Sequence, residues 1–522
     1  MSVVALYVII GYLILLLFIG FASQRFFRGT SADYFVASRS IGPFMLLMSL
    51  FGTTMTAFAL VGSTGKAYAS GIGVYGLMAS WSGLIHSAVF FLVGIRLWAI
   101  GKKYGYVTQC QFFRDRFQSP TLGFLLFPVL VALIIPYLLI GIVGAGAVVR
   151  GLSGGMFPEA FAGIPHPVKE GVMLHAGAIP PWLTGLVICV VVLTYVFFGG
   201  VRSTAWANTF QTIVFMITGV IAFVLIANAL GGASAASQAV ADTSPKHLMR
   251  EGMIGKWQFF TYLFVPLSVG MFPHLFQHWL TARSAKTFRL SVIAHPICIM
   301  IVWVPCILMG IWAVGNGIEA PGGNANAILG KMVGQLLHTP WLSGLLTAGI
   351  LAAIMSSLDS QFMCMGSMFT NDIAMRLKGD AEWSDRRKLM TGRLFVLAIV
   401  VVTYLLSLVW NKGIFDLGVW CFSGFGGLFP LVLAAIYWRR ATRAGAIAAV
   451  IAAAATWLVL FAKSGYGGEY LLFTNAFGGV HDGIMPVAVI FAVCALTMFV
   501  VSLFTRPPDA DAVDQFFPGK RS

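Results

Sequence analysis

The chain has 522 residues, of which 59% are hydrophobic and only 10% charged, with a formal net charge of +15. Soluble proteins carry roughly 25% charged residues, so a string of soluble domains is excluded and an all-α polytopic membrane protein is expected. The basic excess would suit nucleic acid, but in a membrane protein it is first tested against the bias of Lys and Arg toward cytoplasmic loops.

A hydrocarbon core of about 30 Å needs about 20 helical residues, and thirteen apolar runs meet that length. They cover 3–24, 43–65, 72–99, 121–149, 181–199, 206–228, 257–281, 289–315, 342–371, 390–410, 414–438, 444–462 and 484–505. The first lacks the basic start and small-residue cleavage pattern of a signal peptide and is read as a span. Distributing the 33 Lys and Arg over alternate loops puts 24 on one face and 9 on the other. This predicts a plasma membrane protein, in a bacterium the inner membrane, with its N-terminus outside and its C-terminus cytoplasmic. The charge is then an orientation signal, and the lipid bilayer rather than nucleic acid is the expected partner. Lys102-Lys103 and Arg386-Arg387-Lys388 are read as solvated loop charge, with anionic headgroups as the alternative.

Seven cysteines form no CxxC pair, and no GxxxxGK[ST], HExxH or GxSxG motif occurs. A disulfide framework, a zinc site, an ATPase and an enzyme are therefore not expected. Neither an organic cofactor nor an obligatory protein partner is indicated.

Transporters often bury their sites where helices break, and Gly- or Pro-interrupted spans in matching positions point to them. Span 2 reads SLFGTTMTAFALVGSTG over 49–65, with three glycines and the hydroxyls of Thr53, Thr54, Thr56 and Ser63. Span 7 reads FFTYLFVPLSVGMFPH over 259–274, with Pro266, Gly270 and Pro273. The two stand five apart, as required if spans 2–6 and 7–11 form two inverted five-helix repeats. The chain then divides into 1–42 (an extra span and the first cytoplasmic loop), 43–228 (first repeat), 257–438 (second repeat) and 439–522 (two further spans and a tail).

In LAAIMSSLDSQ, over 351–361, Ala353, Ser356, Ser357 and Ser360 fall at i, i+3, i+4 and i+7 and share one helical face. Two readings stand open. The hydroxyls and nearby carbonyls suit an alkali cation, and serines equally well bond back to their own helix. Asp359 is the one clear acid at a span centre, where a charge is costly unless paired or wet.

These segments, with YGYVTQCQFFRDRF, FGGVRSTAWANTFQ, PHLFQHW and LFPLVLAAIYWRRATRAGAIAA, resemble the sodium/solute symporter family, in order from about residue 5 to about 460. The resemblance implies the inverted-repeat fold of bacterial leucine transporters, with Na⁺ as the coupling ion. It implies a sodium site at the carbonyls of Gly52, Met55 and Ala353 and the hydroxyls of Ser356 and Ser357. It also makes Asp359 a gating or structural partner near the inner mouth, or alternatively a cation ligand. Two departures matter. Ala207 and Asn208 stand where many members have Thr-Asp, and Asn supplies no full negative charge, so one Na⁺ per solute is expected. Lys66 stands where relatives carry a small residue; it either snorkels at the outer interface or draws a carboxylate inward.

Candidate solute-facing residues are Thr53, Thr56, Lys66, Trp81, Tyr262, His274 and Trp420. The expectation is a Na⁺-coupled symporter of a small organic solute, a monocarboxylate or an amino acid, working by alternating access. Proton coupling through His274 and His278, histidine being the side chain that ordinarily titrates near neutral pH, and a transporter-like sensor are the alternatives.

Overall fold

The structure, a computed structural model, describes residues 3–23, 25, 29–165, 173–174, 176–377, 383–410, 413–476 and 482–517. Six of the basic residues counted above, Arg28, Lys169, Lys378, Lys412, Lys520 and Arg521, lie outside them.

Among the described residues the architecture is helical apart from one ladder of two-residue strands, Ile164–Pro165 with Met173–Leu174, and two isolated bridges. In chain order the elements used below are α1 (Val4–Ser23), α2 (Pro43–Thr54), α3 (Phe58–Ser70), α4 (Gly76–Tyr104), α5 (Gln109–Arg116), α6 (Pro120–Leu152), α7 (Pro181–Ala229) and α8 (Lys256–Gly270). They continue as α9 (Pro273–Thr281), α10 (Phe288–Gly315), α11 (Pro340–Met368), α12 (Asp385–Val409), α13 (Ile414–Gly427), α14 (Arg443–Lys463) and α15 (Pro486–Phe504). Among the described residues ten helices are long and apolar enough to cross a membrane, or twelve when each of two bent pairs counts as one span.

The expected thirteen differs from this figure because α7 runs as one element of 49 residues through the position of a predicted loop. At 1.5 Å per residue such a helix would reach about 74 Å, more than twice the thickness of the hydrocarbon core. It is interrupted at Gly200, whose φ of 61° and ψ of −161° are non-helical. A Cβ at Gly200 would strike the ring and carbonyl of Tyr34, so both the backbone conformation and the close approach require glycine.

Both bent pairs fall where the Gly and Pro pattern places them. The α2/α3 pair is bent by 57° and the α8/α9 pair by 50°. At the first, Thr54 Oγ1 turns back to the carbonyls of Leu50 (3.0 Å) and Phe51 (2.9 Å), and Thr56 Oγ1 accepts from the Phe58 amide (3.0 Å). The Thr56 hydroxyl thus replaces a backbone partner that the break removes, and Thr54 adds a second bond to carbonyls of the last turn of α2. At the second, Pro273 has no amide to offer and holds Phe272 extended, at φ −65° and ψ 116°. Helix α11 lies at the centre, buried almost continuously from Ser343 to Met368, and packs on α1, α2, α6 and α7. The α14/α15 pair packs at the periphery.

Gly200→Ala is expected to cost about 1–3 kcal/mol through the forced backbone conformation. It would lower the thermal unfolding midpoint of the purified protein. Gly219→Ala in the same helix, where an added Cβ meets nothing within 4 Å, would not lower it, and equal midpoints for both variants would refute this account of Gly200.

Candidate functional site

The first break frees the Gly52 carbonyl at the end of α2, and α11 supplies its partner. Ser356 Oγ lies 2.8 Å from the Gly52 oxygen and 2.9 Å from that of Ala353. Three of the five oxygens expected to hold sodium therefore meet around one hydroxyl. Ser357 Oγ turns to its own helix, donating to the Ile354 carbonyl at 2.8 Å, and Met55 caps α2 with its own amide on the Phe51 carbonyl. The donor set is hard, neutral and buried, which fits an alkali cation; among the described residues no three His, Cys, Asp or Glu side chains gather as a metal site. Helix α7 closes the third side, since a Cβ at Gly52 would collide with the Thr212 hydroxyl.

One turn further along α11, Ser360 is the hub of a buried polar cluster. Its Oγ lies 2.9 Å from Thr53 Oγ1, 3.0 Å from His278 Nε2 and 3.0 Å from Asp359 Oδ1. The other oxygen of Asp359 accepts from the Tyr195 hydroxyl at 2.9 Å. Asn208 satisfies both ends of its amide with its nitrogen toward the carboxylate, 3.0 and 3.1 Å from the two oxygens, and its oxygen accepting from Ser360 at 2.9 Å. Asp359 thus takes neutral donors from Tyr195 and Asn208, and the cluster joins α2, α7, α9 and α11. Tyr195 carried no signal in the sequence. Ser360 was legible as part of the serine stripe.

A column of aromatic rings leads from Lys66 to the second break. Lys66 Nζ lies 5.3 Å from the Phe415 ring centre and 5.4 Å from that of Tyr470. Phe415 stacks on Phe58 at 5.2 Å, Phe58 meets Phe422 at 4.9 Å, and Phe422 meets Tyr137 at 5.1 Å and Phe272 at 5.7 Å. His274 sits against Tyr137 at 5.6 Å and Phe272 at 5.0 Å. Its imidazole is fully buried, and neither ring nitrogen has a hydrogen-bond partner among the described residues. Buried polar groups are almost always paired, so a doubly unpaired imidazole calls for an explanation.

The remaining candidates are scattered. Thr56 is buried in the break and Tyr262 in the 3-10 stretch of α8. Trp81 donates to the Phe259 carbonyl at 3.2 Å and ties α4 to α8. Trp420 faces away from the column, packing on Trp457 and Phe461 of α14 and donating to the Glu469 carbonyl at 3.0 Å. Neither tryptophan contacts the Ser356 or Ser360 groups.

The family model described as "Sodium:solute symporter family" matches residues 34–160 and 181–453. The chain belongs to this family. Sodium/proline symporters of Staphylococcus aureus, strains bovine RF122 / ET3-1 and JH9 among them, are 28% identical over 522 residues, covering 96% of this chain and 92% of the relative. A solved Na⁺-coupled sialic acid symporter in a substrate-bound outward-open state superposes with a TM-score of 0.74 at 19% identity, covering 97% of this chain and 99% of its own. MhsT in complex with L-phenylalanine superposes with a TM-score of 0.54 at 12% identity, covering 89% and 98%. The chain is accordingly an integral membrane protein with a transporter fold, in a family of Na⁺-coupled symporters rather than enzymes.

Tyr195→Phe leaves a buried carboxylate with one donor fewer, at a cost of about 1–3 kcal/mol. A lowered unfolding midpoint is expected in Tyr195→Phe but not in Tyr404→Phe, whose hydroxyl lies at the surface on the Trp182 carbonyl. Indistinguishable midpoints would refute the pairing.

Proposed function

We propose that the protein couples Na⁺ to the uptake of a small organic solute bearing a carboxylate, an amino acid or a monocarboxylate. The observation that carries the sodium assignment is the meeting of the Gly52 and Ala353 carbonyls at Ser356 Oγ. A cation can replace the shared hydroxyl proton as the positive partner of these oxygens once that hydroxyl rotates, with Ser357 and the Met55 carbonyl completing the set. Bound there, Na⁺ ties α2 to α11. Linkage then requires that Na⁺ and solute raise each other's affinity by the same factor if both favour that state.

For the solute, Lys66 and His274 are the two ends of the aromatic column, with Thr53, Thr56 and Tyr262 on the broken helices beside it. The ammonium would attract a carboxylate, and the unpaired imidazole offers it a hydrogen bond. Named relatives that carry proline support an amino acid. Trp81 and Trp420 are left out of the solute site, because their indoles are engaged elsewhere. Asp359 is assigned the positioning of Ser360, and one Na⁺ per solute follows from Asn208. Dividing α7 at Gly200 and counting each bent pair once makes thirteen spans, with repeats over 43–228 and 257–438, flanking units 1–42 and 439–522, the N-terminus outside and the C-terminus cytoplasmic.

Proteoliposomes with an inward Na⁺ gradient test this, with labelled proline, lactate and glucose as probes. Accumulation of a carboxylate probe that depends on Na⁺ is expected. Ser356→Ala/Ser357→Ala is expected to weaken apparent Na⁺ affinity by tenfold or more, about 1.4 kcal/mol; unchanged affinity would overturn the sodium site. Lys66→Gln is expected to raise the solute KM roughly tenfold without altering Na⁺ dependence, and an unchanged KM would remove Lys66 from the entry path.

A further inference from the structure

The ends of α14 and α15 are fastened together. Thr442 caps α14 by accepting from the Gly445 amide (3.1 Å), and its Oγ1 lies 2.7 Å from Thr505 Oγ1. Residues 505–517 then fold back along the end of α4 and along α5. Lys103 and Tyr104 donate to the Gln515 carbonyl at 3.2 and 2.8 Å, Phe516 packs on Tyr104 and Phe112, and Arg439 pairs with Asp514.

Beneath this strap lies a cavity of about 230 Å³ lined by Arg116, Gln118, Arg443, Arg506 and Asp509 among others. Arg116 is 2% exposed. Its Nε and one terminal nitrogen donate to the carbonyls of Ala435 (2.8 Å) and Trp438 (3.1 Å), and its Nη1 is buried without a partner. Burial pulls the Arg116 guanidinium down to about 10, which leaves it charged at neutral pH. Arg443 and Arg506 enter no ion pair among the described residues. The carboxylate of Asp509, by contrast, accepts from the Asp511 amide. Three arginines and one acid therefore line the cavity, beside the N-terminus of a 21-residue helix. Such an arrangement matches a phosphate group, whose several oxygens accept from guanidinium forks and helix N-terminal amides. Its place between the first residue of one span and the last of another is the level of lipid headgroups; Phe504 at that end is 86% exposed.

We propose that this cavity binds a phosphate-bearing anion and thereby holds residues 505–517 against α5. A phospholipid headgroup and a free phosphate present the same chemistry, and two arms separate them. The full-length protein is placed in nanodiscs of phosphatidylcholine with or without phosphatidylglycerol, and separately titrated in detergent with inorganic phosphate against chloride at equal ionic strength. Thermal unfolding and proteolytic release of 505–517 are read in both. Stabilisation by phosphatidylglycerol alone identifies the lipid, and stabilisation in both arms identifies the phosphate group from either source. In each case Arg443→Gln/Arg506→Gln, which breaks no side-chain bond among the described residues, is expected to weaken apparent affinity by tenfold or more, whereas Arg386→Gln/Arg387→Gln retains it. No stabilisation in either arm, or equal stabilisation of the wild type and the Arg443/Arg506 variant, overturns the proposal. Arg116→Gln is a further variant; if it does not fold, the double variant decides.

Discussion

A carbonyl freed by a helix break inside a membrane has no water to turn to, and an unpaired backbone group there costs several kcal/mol. The contact between Ser356 and the Gly52 carbonyl answers that cost, and much of the core follows from it. It requires α11 to run within a hydroxyl's reach of the end of α2. It also requires residue 52 to have no side chain, because Thr212 of α7 occupies the space a Cβ would need. Two helices are thus bonded at one point, and a third packs against it.

The second cluster extends this constraint to the other break. Ser360 stands one turn from Ser356 and touches Thr53 on α2 and His278 on α9. Both bent pairs therefore meet the same face of α11. A tilt of either against that face must exchange the partners of Ser360, whose neighbour Asp359 is held by Tyr195 and Asn208. In the proposed sodium site, an ion at Ser356 would be felt at the second break through one turn of helix, without any long relay.

What was legible in the sequence was local. The Gly and Pro interruptions marked both breaks, and the spacing of four residues on α11 marked the face that meets α2, because a helix fixes the phase of its own side chains. Partners across helices were not legible. Tyr195 and Asp359 are 164 residues apart, and nothing local to either announces the other. Trp81 and Trp420 were assigned by helix, and since buried spans are apolar all round, no polar face indicated which way either indole points. The loop expected near 200–205 is helical on both sides of Gly200, and its charge is not solvated: Arg202 forms a 2.6 Å ion pair with the buried Asp33.

That pair also qualifies the reading of charge as orientation alone. Several basic residues on the face of the 96–120 loop act on carbonyls that helix ends leave without amides. Arg39 donates to Leu280 near the end of α9, Arg116 to Ala435 near the end of helix Phe429–Tyr437, and Arg440 to Leu503 and Thr505 at the end of α15. A cation suits a helix C-terminus both as donor and as counter-charge to the dipole. These basic residues therefore serve packing, beside any part they have in orientation. Serine at the buried break and arginine at the interfacial ends satisfy the same kind of orphaned carbonyl, and depth in the membrane separates them: the neutral hydroxyl is used where a permanent charge would be costly, and the guanidinium where water and headgroups lie within reach.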